Sequence, residues 1–208
     1  MDYEKVNTAQ IHSEADSFTE KRYQQFYKFF PVKTKKVLDV GCNTGRGGAE
    51  LYRLDKKLEI SGLDCVDKRL QQLPDEIYKH RLLSYSTNIK AKDDSYDVIV
   101  AGEFIEHLSP HDVTPTLVEF YRILKIKGRL LLTTPNPDYI RLKLTGGTVL
   151  HGAHLSAHNH KELSKELNDI GFKKLEVLGS GKISKLIGQY FPFLSLYGSY
   201  MIIAEKYA

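Results

Sequence analysis

Short apolar runs alternate with amphipathic stretches along most of the chain. Seven runs are predicted as strands: residues 36–40, 58–63, 81–84, 96–101, 129–134, 172–178 and 200–205. The fourth run is almost continuously apolar, as in a strand that is buried on both faces of a sheet. Between the runs, apolar residues recur at helical spacing, most clearly in the series Val113, Leu117, Phe120, Tyr121 and Leu124.

This alternation predicts an α/β fold built from parallel βαβ units with right-handed crossovers. We expect one Rossmann-like domain over residues 1–208, with helices on both faces of the sheet. Residues 1–30 are predicted as an N-terminal helical cover, capped by Ser13 with Asp16 and ended by Pro31, and residues 35–208 as the sheet core. In such a sheet, ligands bind beyond the carboxyl ends of the strands, so polar residues at those ends are the candidates for function.

Composition narrows the class of protein. Of 208 residues, 41% are hydrophobic and 27% charged, which excludes general disorder, and no apolar run is long enough to span a membrane. Two cysteines are too few for a disulfide framework, and the polar start of the chain is unlike a secretion signal, so we expect a cytoplasmic protein. The formal net charge is +4, with acidic residues interleaved among the basic ones; nucleic acid is therefore an unlikely partner.

A glycine-rich turn follows the first strand, in the sequence VLDVGCNTG. Glycine allows a tight turn and a close approach of backbone to ligand at Gly41 and Gly45. Three residues separate these glycines, so the dinucleotide pattern G-x-G-x-x-G is absent, and no phosphate-loop lysine is present. About 20 residues later, Asp64 ends the second strand, where a carboxylate can accept both hydroxyls of a ribose. Together the two features predict a ligand that carries a ribose but no phosphate.

The segments VLDVGCNTG, LDC and YDVIVAGEFIEHL resemble the successive motifs of class I S-adenosylmethionine-dependent methyltransferases. The resemblance covers roughly residues 35–180. It implies S-adenosyl-L-methionine as cofactor and a seven-stranded, mostly parallel sheet whose last strand is antiparallel. It also implies a cofactor site at Asp39, Gly41, Cys42, Asn43, Gly45, Asp64, Cys65 and Glu103.

Within that site, Asp64 would hold the ribose and Cys65 would lie beside the adenine. Many relatives have an aspartate after the third strand that binds the adenine amine, whereas this chain has Tyr-Ser-Thr-Asn at residues 85–88. Ser86, Thr87 and Asn88 are the alternatives for that contact.

The fourth strand leads into Glu103, Glu106 and His107, which would share one face if the segment were helical. A later stretch contains four of the eight histidines: His151, His154, His158 and His160. One interpretation makes His107 or His154 a general base. A second makes Glu103, Glu106, His107 and His154 a divalent-metal site, because the pattern is similar to RNA 3′-terminal 2′-O-methyltransferases, which hold a metal with these residues. Ubiquinone-pathway O-methyltransferases carry a similar E-x-x-E-H, and simple packing roles remain the third interpretation.

The sequence therefore predicts a methyltransferase acting on a hydroxyl of a small molecule, sugar or lipid-linked glycan. The TTPNP sequence after the fifth strand resembles small bacterial methyltransferases of this type. An apolar segment at residues 183–194 is predicted either to pack under the sheet edge or to cover a lipid-bearing acceptor. The alternatives are an RNA 3′-terminal ribose 2′-O-methyltransferase and a non-catalytic cofactor-binding subunit. The oligomeric state is not predicted.

Overall fold

The computed structural model describes residues 3–8 and 18–207. Its centre is a seven-stranded sheet in the spatial order β3-β2-β1-β4-β5-β7-β6, in which β7 runs antiparallel between β5 and β6 and the other strands are parallel to one another. The strands are β1 (Lys36–Val40), β2 (Glu59–Asp64), β3 (Tyr78–Leu83), β4 (Tyr96–Gly102), β5 (Leu124–Pro135), β6 (Phe172–Ser180) and β7 (Ser199–Lys206). The predicted Rossmann-like fold class is confirmed, including the antiparallel last strand.

Helices pack on both faces of the sheet. They are α1 (Tyr3–Thr8), α2 (Thr19–Tyr27), α3 (Arg46–Leu54), α4 (Asp67–Gln71), α5 (Pro110–Ile123), α6 (Ile140–Thr145), α7 (His160–Ile170) and α8 (Ser184–Ile187). Two 3-10 turns, Ile105–His107 and Leu194–Leu196, complete the regular elements of the described ranges. No helix in these ranges is long and apolar enough to cross a membrane.

The N-terminal helix differs from the prediction. The proposed cap at Ser13 and Asp16 lies outside the described residues, and α2 ends at Tyr27 rather than at Pro31. Elsewhere, boundaries move because tertiary pairing extends the strands. β5 begins at Leu124, directly after α5, so Gly128 lies inside a strand that we predicted to start one residue after it.

The core forms two layers, one on each face of the sheet. Side chains of β4 alternate between them: Val98 and Val100 face the layer under α2 and α3, while Ile99 and Ala101 face the layer under α5 and α7. All four side chains are fully buried. Because both faces of β4 are covered, its successive residues are apolar and do not alternate with polar ones.

A matched pair of isoleucines tests the role of the inserted strand. Ile202 on β7 is fully buried, whereas Ile126 on β5 is 54% exposed. Ile202→Ala should lower the free energy of unfolding by about 2–5 kcal/mol, because it removes buried methyl groups and leaves a cavity. Ile126→Ala should change it by less than about 0.5 kcal/mol. Urea denaturation of both variants checks this, and equal losses would contradict the assigned burial.

Candidate active site

A cavity of about 1100 Å³ opens at the carboxyl ends of β1, β2 and β4. This volume exceeds that of a drug-sized site, so it can hold a nucleoside cofactor together with an acceptor. Of the residues predicted to bind cofactor, those that line the cavity are Gly41, Cys42, Asn43, Asp64, Cys65 and Glu103. Asp39 and Gly45 are not among its lining residues.

The glycine turn lies across the end of β2. Gly41 and Gly45 have φ of +64° and +81°, a region that favours glycine, and a Cβ on Gly41 would lie 2.7 Å from the Phe104 ring. The backbone N–H of Gly41 donates to the Leu63 carbonyl at 2.8 Å. Gly45 is the N-cap residue of α3 and has a left-handed backbone conformation, so it joins the turn to that helix.

Asp64 is held by the turn that it faces. Its Oδ2 accepts from the backbone N–H of Asn43 at 3.1 Å, and its Oδ1 accepts from that of Val66 at 3.0 Å. Oδ1 also lies 3.7 Å from Nη1 of Arg69, a cation that lines the cavity. The neighbouring Cys65 lines the cavity as well, and burial raises the pKa of its thiol to about 11, so the thiol is neutral at physiological pH.

Asp39 lies beneath the turn and has no exposed surface. The hydroxyls of Tyr23 and Tyr78 each donate to it, at 2.6 Å to Oδ1 and 2.6 Å to Oδ2. The Tyr78 oxygen also accepts from the backbone N–H of Gly48 at 3.1 Å. Burial raises the pKa of Asp39 to about 6, although the two tyrosine hydrogen bonds act in the opposite direction. Asp39 thus supports the cofactor loop without reaching the cavity.

Helix α2 contributes Thr19, Arg22 and Tyr23 to the cavity lining, and Arg22 was not predicted as a site residue. Arg22 is buried, and its Nε lies 3.8 Å from Oε1 of Glu103. The sequence does indicate that Arg22 is buried, because it lies four residues from both Phe18 and Phe26 on the apolar face of α2. A cation on that face must find a partner inside the protein.

Ser84, Tyr85, Ser86 and Thr87, which follow β3, line the cavity, whereas Asn88 is not among the lining residues. Ser86 already hydrogen-bonds through Oγ to Thr116 Oγ1 at 2.8 Å. The Oγ of Ser84 is buried and has no partner. Ser84, which the sequence analysis did not consider, is thus a further candidate for the amine contact.

Glu106, His107 and His154 form a cluster whose ligand atoms lie within 4.8 Å of one another. Glu106 is fully buried; its Oε2 accepts from Thr134 Oγ1 at 3.1 Å, and its Oε1 has no partner. The two imidazole rings are 5.0 Å apart, centroid to centroid. Two segments distant in sequence therefore meet beside the cavity, where His107 and His154 are lining residues.

Backbone carbonyls orient both imidazoles. Nδ1 of His107 lies 3.2 Å from the Ala153 carbonyl, and Nδ1 of His154 lies 2.8 Å from the Val149 carbonyl. Each Nδ1 must then carry the proton, which leaves Nε2 as the basic or ligating atom. Burial, and next His154, lower the pKa of His107 to about 4, so this ring is neutral at physiological pH. Burial, and next Glu103, raise the pKa of Glu106.

Glu103 does not join the cluster, contrary to the predicted four-residue metal set. The segment is not one helix: Glu103 has a φ of +51°, and only Ile105–His107 forms a 3-10 turn. Its Oε2 accepts from Ser199 Oγ at 3.3 Å, on the side of Arg22. Of the other histidines, His151 stacks near His154 at 4.8 Å, while His158 and His160 lie outside the cavity lining.

Comparison with known proteins places this geometry in a family. Residues 15–177 match the family model of a methyltransferase domain. Ubiquinone biosynthesis O-methyltransferase, mitochondrial, from Bos taurus is 29% identical over 123 residues, covering 55% of this chain and 32% of that protein. Small RNA 2′-O-methyltransferase from Tetrahymena thermophila is 26% identical over 193 residues, covering 78% of this chain and 45% of that protein.

Solved structures share the fold. A SAM-dependent methyltransferase from Archaeoglobus fulgidus superposes with a TM-score of 0.70 and 20% identity, covering 91% of this chain and 93% of that one. Phosphoethanolamine N-methyltransferase 2 of Haemonchus contortus, in complex with S-adenosyl-L-methionine, has a TM-score of 0.68 and 15% identity, covering 90% and 52%.

The chain belongs to the methyltransferase domain family, in the class of S-adenosylmethionine-dependent methyltransferases with the class I fold. It spans less than half the length of the two curated relatives described above.

The raised pKa of Asp39 predicts a pH-dependent stability. In the unfolded chain the Asp39 carboxyl has a pKa near 3.8, and in the folded chain a pKa of about 6, so ionisation favours unfolding. Stability from this group is complete below the lower pKa and is lost as the pH rises through the upper one. The unfolding free energy of wild type relative to Asp39→Asn should fall by about 2–3 kcal/mol between pH 4 and pH 7. Urea titrations of both proteins across this range measure it; a constant difference would contradict the raised pKa.

Proposed function

We propose that this domain transfers the methyl group of S-adenosyl-L-methionine to a hydroxyl oxygen of a small-molecule, sugar or lipid-linked acceptor. One observation carries the proposal: the glycine turn with Asp64 lines the same cavity as His107 and His154, whose ligand atoms lie within 4.8 Å of the buried Glu106 carboxylate. The first part suits a ribose-bearing cofactor, and the second suits an oxygen that must lose its proton. The bound cofactor supplies an electrophilic methyl group on a sulfonium.

The cavity residues fit that cofactor along its length. Asp64 offers two hydrogen-bonded oxygens to the ribose hydroxyls. Ser84, with a buried and unpartnered hydroxyl, faces the adenine end. Arg22 and Glu103 lie at the other end with opposite charges, which suit the carboxylate and ammonium of a methionyl group.

The cluster activates the acceptor hydroxyl in one of two ways. As a general base, the Nε2 of His154 takes the proton; His107 is a weaker candidate, because a pKa of about 4 lies far below the working pH. As a metal site, Glu106 offers an oxygen and the two histidines offer Nε2. The set fits a divalent cation, since the carboxylate oxygen Oε1 is buried without a partner and both rings are oriented through Nδ1 by carbonyls. In both cases these residues would hold the acceptor oxygen near the methyl group. A general base would accept the hydroxyl proton, and a metal ion would lower the pKa of the hydroxyl.

A second candidate acceptor is the terminal ribose of an RNA. It is favoured by the match to Small RNA 2′-O-methyltransferase of Tetrahymena, which covers 78% of this chain. The cavity lining argues for the smaller acceptor. Of its four cations, Arg22, Arg46, Arg69 and Lys182, Arg22 lies 3.8 Å from Glu103 and Arg69 lies 3.7 Å from Asp64. A bound polynucleotide would call for several cations along its backbone.

Replacing Asp64 tests the cofactor site. Asp64→Ala should weaken binding of S-adenosylhomocysteine by about 1.5–3 kcal/mol, because it removes charge-assisted hydrogen bonds to the ribose. Asp67→Ala, at an exposed carboxylate three residues away, should leave the affinity unchanged. Titration calorimetry measures both, and unchanged affinity in Asp64→Ala would remove the ribose assignment. Tighter binding of NAD than of S-adenosylhomocysteine would remove the proposed function.

Replacing His154 tests the chemistry. With labelled cofactor and a panel of hydroxyl acceptors, His154→Ala should lower turnover by about 100-fold or more while its affinity for S-adenosylhomocysteine stays within about twofold of wild type. His80→Ala, at an exposed histidine of β3, serves as the control. Loss of activity on chelation, restored by Mg²⁺ or Mn²⁺, would identify the metal mechanism, and activity that survives chelation would identify the base.

The same assay separates the alternatives. Methylation of small hydroxyl acceptors should depend weakly on salt, because few charges cross the interface. A steep loss of substrate affinity with rising salt, together with methylation of short RNA 3′ ends, would establish the second candidate instead. Tight cofactor binding with no turnover on any acceptor would point to a non-catalytic subunit.

A further inference from the structure

Large apolar side chains are exposed around the mouth of the cavity. Leu186 is 81% exposed, Leu144 80%, Tyr190 66% and Phe193 62%. They belong to two stretches of chain, α6 and residues 182–194, which we name the mouth surface. Isolated exposed apolar residues are ordinary, but a contiguous group at one site marks an interaction surface.

The two stretches adjoin each other and the cavity. Helix α6 packs against the 3-10 turn Leu194–Leu196, and the ring of Tyr139, just before α6, lies beside Gly198. Tyr139, Lys182 and Ile183 themselves line the cavity. The mouth surface therefore adjoins one part of the cavity lining.

Hydrogen bonds hold the backbone of this surface in place. The hydroxyl of Tyr197 donates to the Gly188 carbonyl at 2.5 Å, and Nδ2 of Asn136 donates to the Leu194 carbonyl at 2.9 Å. The backbone N–H of Gly179, on β6, donates to the Gln189 carbonyl at 2.9 Å. A backbone tied to the sheet in this way presents the apolar side chains outward and prevents their collapse into the core.

The two stretches of the mouth surface contain basic residues but no acidic ones. Residues 139–161 and 181–198 contain no aspartate or glutamate. Four exposed cations lie within the mouth surface: Arg141, Lys143, Lys182 and Lys185. The nearest acid along the chain, Asp138, pairs with Lys143 at 2.8 Å and so offsets one of the four. The surface combines apolar insertion groups with a positive charge.

We propose that the mouth surface docks on an anionic lipid membrane, with its apolar side chains at headgroup depth and its cations on lipid phosphates. This is the combination by which surface helices bind anionic bilayers. The cavity would then open toward the bilayer, so that an acceptor anchored in lipid could reach it. The proposal goes beyond the function proposed above and stands whichever hydroxyl receives the methyl group.

Two other occupants fit less well. A second copy of the chain, joined through the same patch by a two-fold axis, would bring the cations against their own copies. Single-stranded RNA would match the cations, and Tyr190 or Phe193 could stack on bases, but Leu144 and Leu186 offer nothing to a phosphate backbone.

Vesicle sedimentation tests the docking. Wild type should pellet with vesicles of equal phosphatidylcholine and phosphatidylglycerol, and much less with vesicles of phosphatidylcholine alone. Leu144→Ser combined with Phe193→Ser, and separately Arg141→Glu combined with Lys185→Glu, should each lower the partition coefficient on the order of tenfold or more. All four side chains are exposed, so folding should persist; circular dichroism and calorimetry with S-adenosylhomocysteine check it.

Matched controls come from the opposite, amino-terminal end of the sheet. Val32→Ser with Ile126→Ser, and Lys33→Glu with Lys57→Glu, change the same chemistry on exposed residues and should leave vesicle binding unaltered. Equal losses in control and mouth-surface variants, or no binding to anionic vesicles, would overturn the proposal. So would displacement from vesicles by a short single-stranded RNA, or a concentration-dependent dimer that the mouth-surface variants abolish. Because vesicle binding needs no turnover, it can fail or succeed independently of the methyl transfer assay.

Discussion

The buried carboxylate of Asp39 is the interaction on which the cofactor side of the molecule depends. It joins three elements that are far apart in sequence, because α2 supplies Tyr23 and β3 supplies Tyr78 as hydrogen-bond donors to it. Burying a carboxylate is unfavourable, and the raised pKa reflects that cost. Two tyrosine hydroxyls offset part of it, so the glycine turn above Asp39 and the helix that covers the cavity are held in one arrangement.

The cavity divides its chemistry between two ends. Asp64 and Glu103, together with the hydroxyl residues Ser84 and Thr87, line the cavity. Beside the cavity, Glu106 is fully buried, and the ligand atoms of Glu106, His107 and His154 lie within 4.8 Å of one another. Burial raises the pKa of the carboxyl and lowers that of His107, so both groups are driven toward neutrality when the cluster is empty. A cation or an acceptor proton would reverse that balance, which is why this cluster suits the activation of an oxygen.

The segments around the opening of the cavity share one chemical character with the mouth surface. Residues 139–161 and 181–198, which include the segments that border the opening, contain no aspartate or glutamate. A hydrophobic acceptor would meet apolar surface from the mouth to the reacting atoms, and water would be excluded along the way. The proposals for the acceptor and for the membrane surface thus rest on the same property of this edge, although each is tested separately.

Sequence alone determined the fold class, because the periodicity of apolar residues records which segments are buried and on how many faces. It also placed Asp64 and the glycine turn, since both lie at strand ends, and strand ends in a parallel sheet meet at one edge. It offered His107 and His154 as one candidate pair, and the structure brings their rings to a centroid distance of 5.0 Å. Tertiary structure alone decided the rest. The left-handed backbone at Glu103 turns that carboxylate away from the predicted ligand set toward Arg22, and a cation on an apolar helix face has no visible partner until the helix is docked. Ser84 could not be identified from the sequence for the same reason. Whether its hydroxyl has a hydrogen-bond partner depends on every neighbour that tertiary packing brings to it.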